Sequence, residues 1–192
     1  MRLSEKYSEY IQLLRKKLDD YRFEHSKAVS LKAMELARLY GEDQEKAYVA
    51  GLLHDIMKNL TEQEQLLFFA SSAIMLTDVE KASPKVWHAI SGAEFIKSAL
   101  NITDSEIINA VRFHTTGRSG MSTLEKIIYI ADLTSADRKY PDVDILREIV
   151  QKDLDEAVIY ALRHTIMSLA KKNQPIHPDT ICAFNELIGS RK

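Results

Sequence analysis

The sequence predicts an all-α fold, and three observations carry that prediction. Apolar residues recur every three or four positions in one segment after another, as helices with one buried face require. Several segments open on Ser or Thr followed three residues later by Glu, the pattern that satisfies the free N–H groups of a first helical turn. No stretch alternates apolar with polar residues, and no repeat, low-complexity tract or linker divides the chain. At 192 residues a single domain over 1–192 is expected, with a core over about 21–140 and C-terminal helices over about 144–188.

Taken in order, Leu3 to Leu18 reads as one amphipathic helix with Tyr7, Tyr10, Ile11, Leu14 and Leu18 on its apolar side. A second helix, Tyr21 to Tyr40, carries His25, Val29, Ala33 and Leu36 along one stripe before Gly41 stops it. Asp43 caps a third, whose stripe Ala47, Ala50 and Gly51 runs into His54-Asp55, with Lys58 one turn further along the same helix. Thr61 with Glu64 opens a fourth. Thr77 with Glu80 makes a short turn, and Ser83-Pro84 is the expected start of the next long helix, which bears His88. Thr103 with Glu106 opens a helix ending in His114, and Ser122 with Glu125 opens one whose stripe of Leu124, Ile127, Ile128 and Ala131 closes on Asp132. Past a loop at Arg138 to Asp142, helical patterns run from about Asp144 to Gln151 and from Asp153 to Lys172. The stretch Gln174 to Pro178 then breaks the chain ahead of a last helix to Ile188.

Five of these helices set a His or an Asp on an otherwise apolar stripe: His25, His54-Asp55, His88, His114 and Asp132. Singly, each reads as a satisfied core histidine or one half of an ion pair, and Lys58 is a local partner for Asp55. Together they point elsewhere, because a carboxylate turned into a packed interior costs several kcal/mol unless it is paired or bound to metal. Inward imidazoles and carboxylates from facing helices suit iron, manganese, zinc or nickel. His164 and His177 fit no such stripe and read as structural or surface residues.

Composition excludes several classes. With 45% hydrophobic and 28% charged residues the chain is neither disordered nor built to span a bilayer, which needs about 20 consecutive apolar residues. A net charge of −2 without a long basic run argues against nucleic acid as a partner. Met1 to Lys6 is charged from the outset, so no secretory signal is expected. The single cysteine, Cys182, allows no internal disulfide and suits the cytoplasm.

A histidine, a His-Asp pair and a distant aspartate on successive helices, here His25, His54-Asp55 and Asp132, resemble the HD superfamily of metal-dependent phosphohydrolases. Longer motifs narrow the likeness: Val86-Trp87-His88, Phe113 to Arg118 with Gly120-Met121, Leu124 to Asp132, and Lys172 to Pro175 resemble the YqeK-type symmetrical diadenosine tetraphosphatases, from about Tyr21 to Ile188. One loop departs: where that family has an acidic-proline pair and a glycine, this chain has Ser135-Ala136 and Asp142.

The resemblance implies cleavage of diadenosine tetraphosphate to two ADP, with iron as metal, one ion or two. His88 and His114 either ligate the second ion or contact the phosphate chain. Water activated by the metal would attack, Asp55 would bridge if there are two ions, and Lys58 would neutralise developing charge. Arg22 and Arg138 are candidate phosphate clamps, and Thr115, Pro175, Pro178 and Asp179 candidate substrate contacts. The metal ligands alone also admit another nucleotide hydrolase or a nucleotide-binding module, and oligomeric state, a homodimer included, is left open.

Overall fold

Helices α1 (Leu3–Lys6) and α2 (Ser8–Lys17) lead into the long α3 (Asp20–Tyr40) and its neighbour α4 (Gln44–Leu53). These come from a computed structural model that describes residues 3–190, with side chains from residue 5; Met1 and Arg2, part of the charged start, lie outside the described residues. The chain continues through α5 (Glu62–Ser71), α6 (Asp78–Lys81), a 3₁₀ turn (Pro84–Val86), α7 (Trp87–Ser98), α8 (Ser105–Phe113) and α9 (Thr123–Thr134). It closes with α10 (Val143–Val150), α11 (Leu154–Lys171) and α12 (Pro178–Gly189), and there is no strand among the described residues.

The centre of the fold is α3 packed along α4 and α9, with α8 wedged between α7 and α9. Leu36, Leu52, Leu53, Val111, Ile127 and Ile128 are fully buried where these helices meet, and Leu162 is buried on α11, which packs against α9. Each such side chain contributes about 1.5–3 kcal/mol by leaving water. Gly51 sets the closeness of α3 to α4: a Cβ there would stand 2.9 Å from the Ser30 backbone. Only a residue without a side chain lets the two helices cross this tightly, and the crossing sets His25 of α3 beside His54 at the end of α4, ring centroids 5.4 Å apart.

Several expected boundaries are corrected by tertiary context. The first helix is two, broken at Tyr7, where Lys6 and the Tyr7 hydroxyl both reach Glu45 of α4. Helix α4 ends at Leu53 rather than running through Lys58. Residues 54–59 are successive turns, with Ile56 N–H donating to Leu53 O at 3.1 Å and Lys58 N–H to Asp55 O at 2.8 Å. Thr77 and Glu80 form the complete capping box, whereas Ser83 makes no side-chain cap and Pro84 begins only the 3₁₀ turn ahead of Trp87. The cap of α8 is Asp104, not Thr103. Ser122 does cap α9, but the Glu125 carboxylate pairs with Arg118 at 2.7 Å instead of returning to the cap. Helix α10 begins at Val143, after Asp142 in a left-handed conformation.

Candidate metal centre

His54 and His114 occupy equivalent local positions, each closing its helix as the residue after the last regular turn. Each Nδ1 lies 2.7 Å from a carbonyl three residues back, His54 on Gly51 and His114 on Val111. A carbonyl only accepts, so the ring proton is on Nδ1 and the Nε2 lone pair points away from the helix. In both cases it points into one cluster. His25 enters from α3 with Nε2 2.9 Å from Asp132 Oδ1, and His88 from α7 with Nε2 3.1 Å from Asp55 Oδ1 and 3.1 Å from His114 Nε2.

Asp55 lies between two sets of imidazoles. Its Oδ2 is 3.6 Å from His54 Nε2, while its Oδ1 faces His88 at 3.1 Å and His114 at 3.6 Å. Donor atoms of His25, His54 and Asp55 all lie within 4.8 Å of one another, and so do those of Asp55, His88 and His114. His54, Asp55 and His88 are buried, and neither His54 Nε2 nor Asp55 Oδ1 has a hydrogen-bond partner. Buried lone pairs left without donors, converging from imidazoles and carboxylates, fit a divalent cation. The cluster can hold one.

The electrostatics agree with that fit. Burial pushes the His54 and His88 rings down to about 4, against the pull of the neighbouring aspartates, so both are neutral at pH 7, the form in which an imidazole can ligate. Burial works to raise the Asp55 carboxyl, but His54, His114, His88 and Lys58 outweigh it and hold the group well below its ordinary value. For Asp132 burial is likewise overcome, by His25, His54 and Arg138, and the group stays ionised. Lys58 is lowered, chiefly by burial, with Asp55 opposing.

Residues 22–137 match the HD domain family, and that span contains every member of the cluster. The chain belongs to the HD domain family. Relatives named symmetrical bis(5'-nucleosyl)-tetraphosphatase include one from Halalkalibacterium halodurans, 37% identical over 95% of this chain and 97% of its own. Another from Bacillus subtilis is 36% identical over 94% of this chain and 97% of its own. An HD superfamily hydrolase of known structure from Clostridium acetobutylicum superposes with a TM-score of 0.93 at 36% identity, covering 96% of this chain and 98% of that one.

Around the HD cluster stand the cations picked out in the sequence. Arg22 Nη1 is 3.3 Å from Asp55 Oδ2, Lys58 Nζ is 3.7 Å from Asp55 Oδ1 and 3.0 Å from His88 Nε2, and Arg138 pairs with Asp132. Asp132 is therefore inward but not unpaired. Arg22, Lys58 and His88 line one cavity of about 410 Å³. Pro84 and Lys85 separate it from a second, about 240 Å³, where Thr115 and Pro175 lie. Pro178 and Asp179 are elsewhere, in a groove with Glu80 and Arg112 that contains no cluster residue. His177 caps α12, accepting from Asp179 N–H at 3.2 Å, and exposed His164 is remote from the cluster ligands in the wall of another cavity.

Sequence reasoning missed three residues. Asp137 Oδ2 is 2.7 Å from His25 Nδ1, Lys85 lines both cavities, and Arg147 of α10 holds the loop after Asp132 by its carbonyls. Asp137 sits in a loop and Lys85 in a 3₁₀ turn, where no periodicity reports facing, and Arg147 reaches back from α10 to carbonyls of the loop before it, a contact that no helical pattern reports.

Proposed function

We propose that this HD protein hydrolyses diadenosine tetraphosphate symmetrically: water oxygen adds to one of the two inner phosphorus atoms, the bridging P–O bond between them breaks, and two ADP leave. The observation that carries the reaction class is Asp55, whose two oxygens face separate sets of imidazole lone pairs. Support for the substrate comes from relatives of matching length that bear that activity in their names.

His25, His54 and Asp132 would hold one metal and His88 with His114 a second, Asp55 lying between. A divalent metal supplies Lewis acidity toward a phosphoryl oxygen and brings the pKa of water to about 7. We assign iron first, since mixed imidazole and carboxylate donors suit it, with manganese, zinc or nickel as substitutes. Arg22, Lys58 and Arg138 neutralise Asp55 and Asp132; with those carboxylates holding a metal, the three cations would be available to an incoming polyphosphate. Lys58 is the cation that reaches both Asp55, at 3.7 Å, and His88, at 3.0 Å, and is suited to the charge that grows on the phosphoryl oxygens. The cavity at Lys85, Thr115 and Pro175, which shares Pro84 and Lys85 with the one at Lys58, is the place we assign to a nucleoside. Exposed Cys182, which would stay reduced there, fits a cytoplasmic protein. A core continuous from Leu14 to Leu187 fits a single domain.

The test is product analysis on protein loaded with iron under anaerobic conditions, against diadenosine tetraphosphate and a panel of nucleoside mono- and triphosphates. ADP as sole product, lost on chelation, is expected. AMP with ATP, or faster turnover of the mononucleotides, would overturn the assignment.

A further inference from the structure

His54 and His114 fix their tautomers on backbone carbonyls of their own helices, but His25 lies mid-helix in α3, where the carbonyls of its own turns are already used. Its ring is 1% exposed and has found a side chain instead: Nδ1 is 2.7 Å from Asp137 Oδ2. The opposite nitrogen, Nε2, is 3.1 Å from Arg138 Nη2. Nε2 also stands 2.9 Å from Asp132 Oδ1, but Asp137 is the nearer acceptor and Asp132 is already taken up by Arg138, so the ring proton goes to Nδ1 and Nε2 meets the guanidinium, which has donors only, with its lone pair. Asp137 is itself held in place. Arg147 donates to the carbonyls of Ser135 at 2.8 Å, Arg138 at 3.1 Å and Thr134 at 3.2 Å, and Arg138 N–H closes the turn on Ser135 O at 3.0 Å.

We propose that Asp137 is a positioning residue of the metal centre: by accepting the His25 Nδ1–H it holds the Nε2 lone pair toward the cluster and makes this imidazole the more basic ligand. The inference rests on the metal-centre reading and adds to it a residue from the loop in which this chain carries Ser135-Ala136. A carboxylate behind a ligating imidazole is worth roughly 10- to 100-fold in metal affinity. It is also a stronger acceptor than the carbonyls behind His54 and His114.

The experiment pairs two readouts on wild type, Asp137→Asn and Asp137→Ala. Ring ¹⁵N shifts in metal-free protein report the tautomer of each histidine, and equilibrium dialysis reports Mn²⁺ affinity. Wild type should show His25 protonated on Nδ1. Asp137→Ala should lose that preference and bind Mn²⁺ about 10- to 100-fold more weakly, with the His54 signal unmoved. Asp137→Asn keeps an accepting oxygen, so it should hold the tautomer and lose only part of the affinity, which separates ligand tuning from folding if the alanine variant is unstable. Unchanged His25 signals and unchanged affinity in both variants would overturn the role of Asp137 while leaving the metal centre standing. Wild type that takes up neither Mn²⁺ nor Fe²⁺ would overturn the metal centre, and the ligand role with it.

Discussion

The two ends of the cluster are built differently. At one, His25 and His54 each commit Nδ1 to a fixed acceptor, Asp137 and the Gly51 carbonyl, and the close crossing at Gly51 fixes their separation. At the other, His114 is likewise committed to the Val111 carbonyl, but His88 has no such acceptor: Lys58 is 3.3 Å from its Nδ1 and 3.0 Å from its Nε2, and the wall beside it opens into a cavity. A ring with one nitrogen committed can only offer the other; a ring whose two nitrogens both face one ammonium can exchange partners. In the proposed centre the first end would be preorganised for a metal, and His88 at the second would be free to respond when a metal or a phosphate arrives.

Breaking the fixed end should have the largest effect. His54→Ala removes a buried ligand, and hydrolysis should fall by on the order of 10³-fold or more together with metal content; full activity with full metal would put the centre elsewhere. Asp132→Ala should lose activity comparably, and it should also lower the stability of the metal-free protein by about 1–3 kcal/mol. Asp132 pairs with Arg138, and its removal leaves that half-buried guanidinium without its carboxylate. Thermal unfolding of the metal-free variant checks this, and a gain in stability would mean that the pairing is not what holds the loop.

Lys58→Ala sharpens the contrast from the open end. Metal should remain and kcat should fall about 10- to 100-fold with little change in KM, since a charge used mainly in the transition state affects turnover more than ground-state binding. Loss of metal on this substitution would make Lys58 part of the centre's framework. A separate effect is expected with pH. His54 and His88 sit near 4 in the fold against an ordinary 6.5, so the unfolded chain takes protons first as pH falls. Stability of the metal-free protein should therefore be complete above about pH 6.5 and decline by a few kcal/mol toward pH 4, read by denaturant unfolding across that window. A flat profile would mean that these rings are not buried as neutral groups.

What could be read in the sequence follows the same division. His25, His54, His88, His114 and Asp132 were visible because helical periodicity reports which residues face inward, and each stands on or just past a regular helix. Asp137 was not, being a loop residue whose partner is 112 positions away. The end of α4 was invisible for another reason: residues 54–59 contain neither Gly nor Pro, and what turns them is tertiary, with Gln65 donating to Met57 O at 2.9 Å and Asn59 to Asp19 at 2.7 Å. Asp104 displaced Thr103 as a cap because either residue can start the helix and only the bond to Glu106 N–H, at 2.9 Å, decides.

The most direct test of the centre is the metal-to-protein ratio after anaerobic iron loading and removal of unbound metal, measured on wild type, His54→Ala and His88→Ala. With Asp55 between two ligand sets, wild type should hold close to two ions, His88→Ala about one, and His54→Ala fewer than wild type with no activity. A ratio of one in both wild type and His88→Ala would contradict the two-ion arrangement, and a wild type that holds none would contradict the metal centre itself.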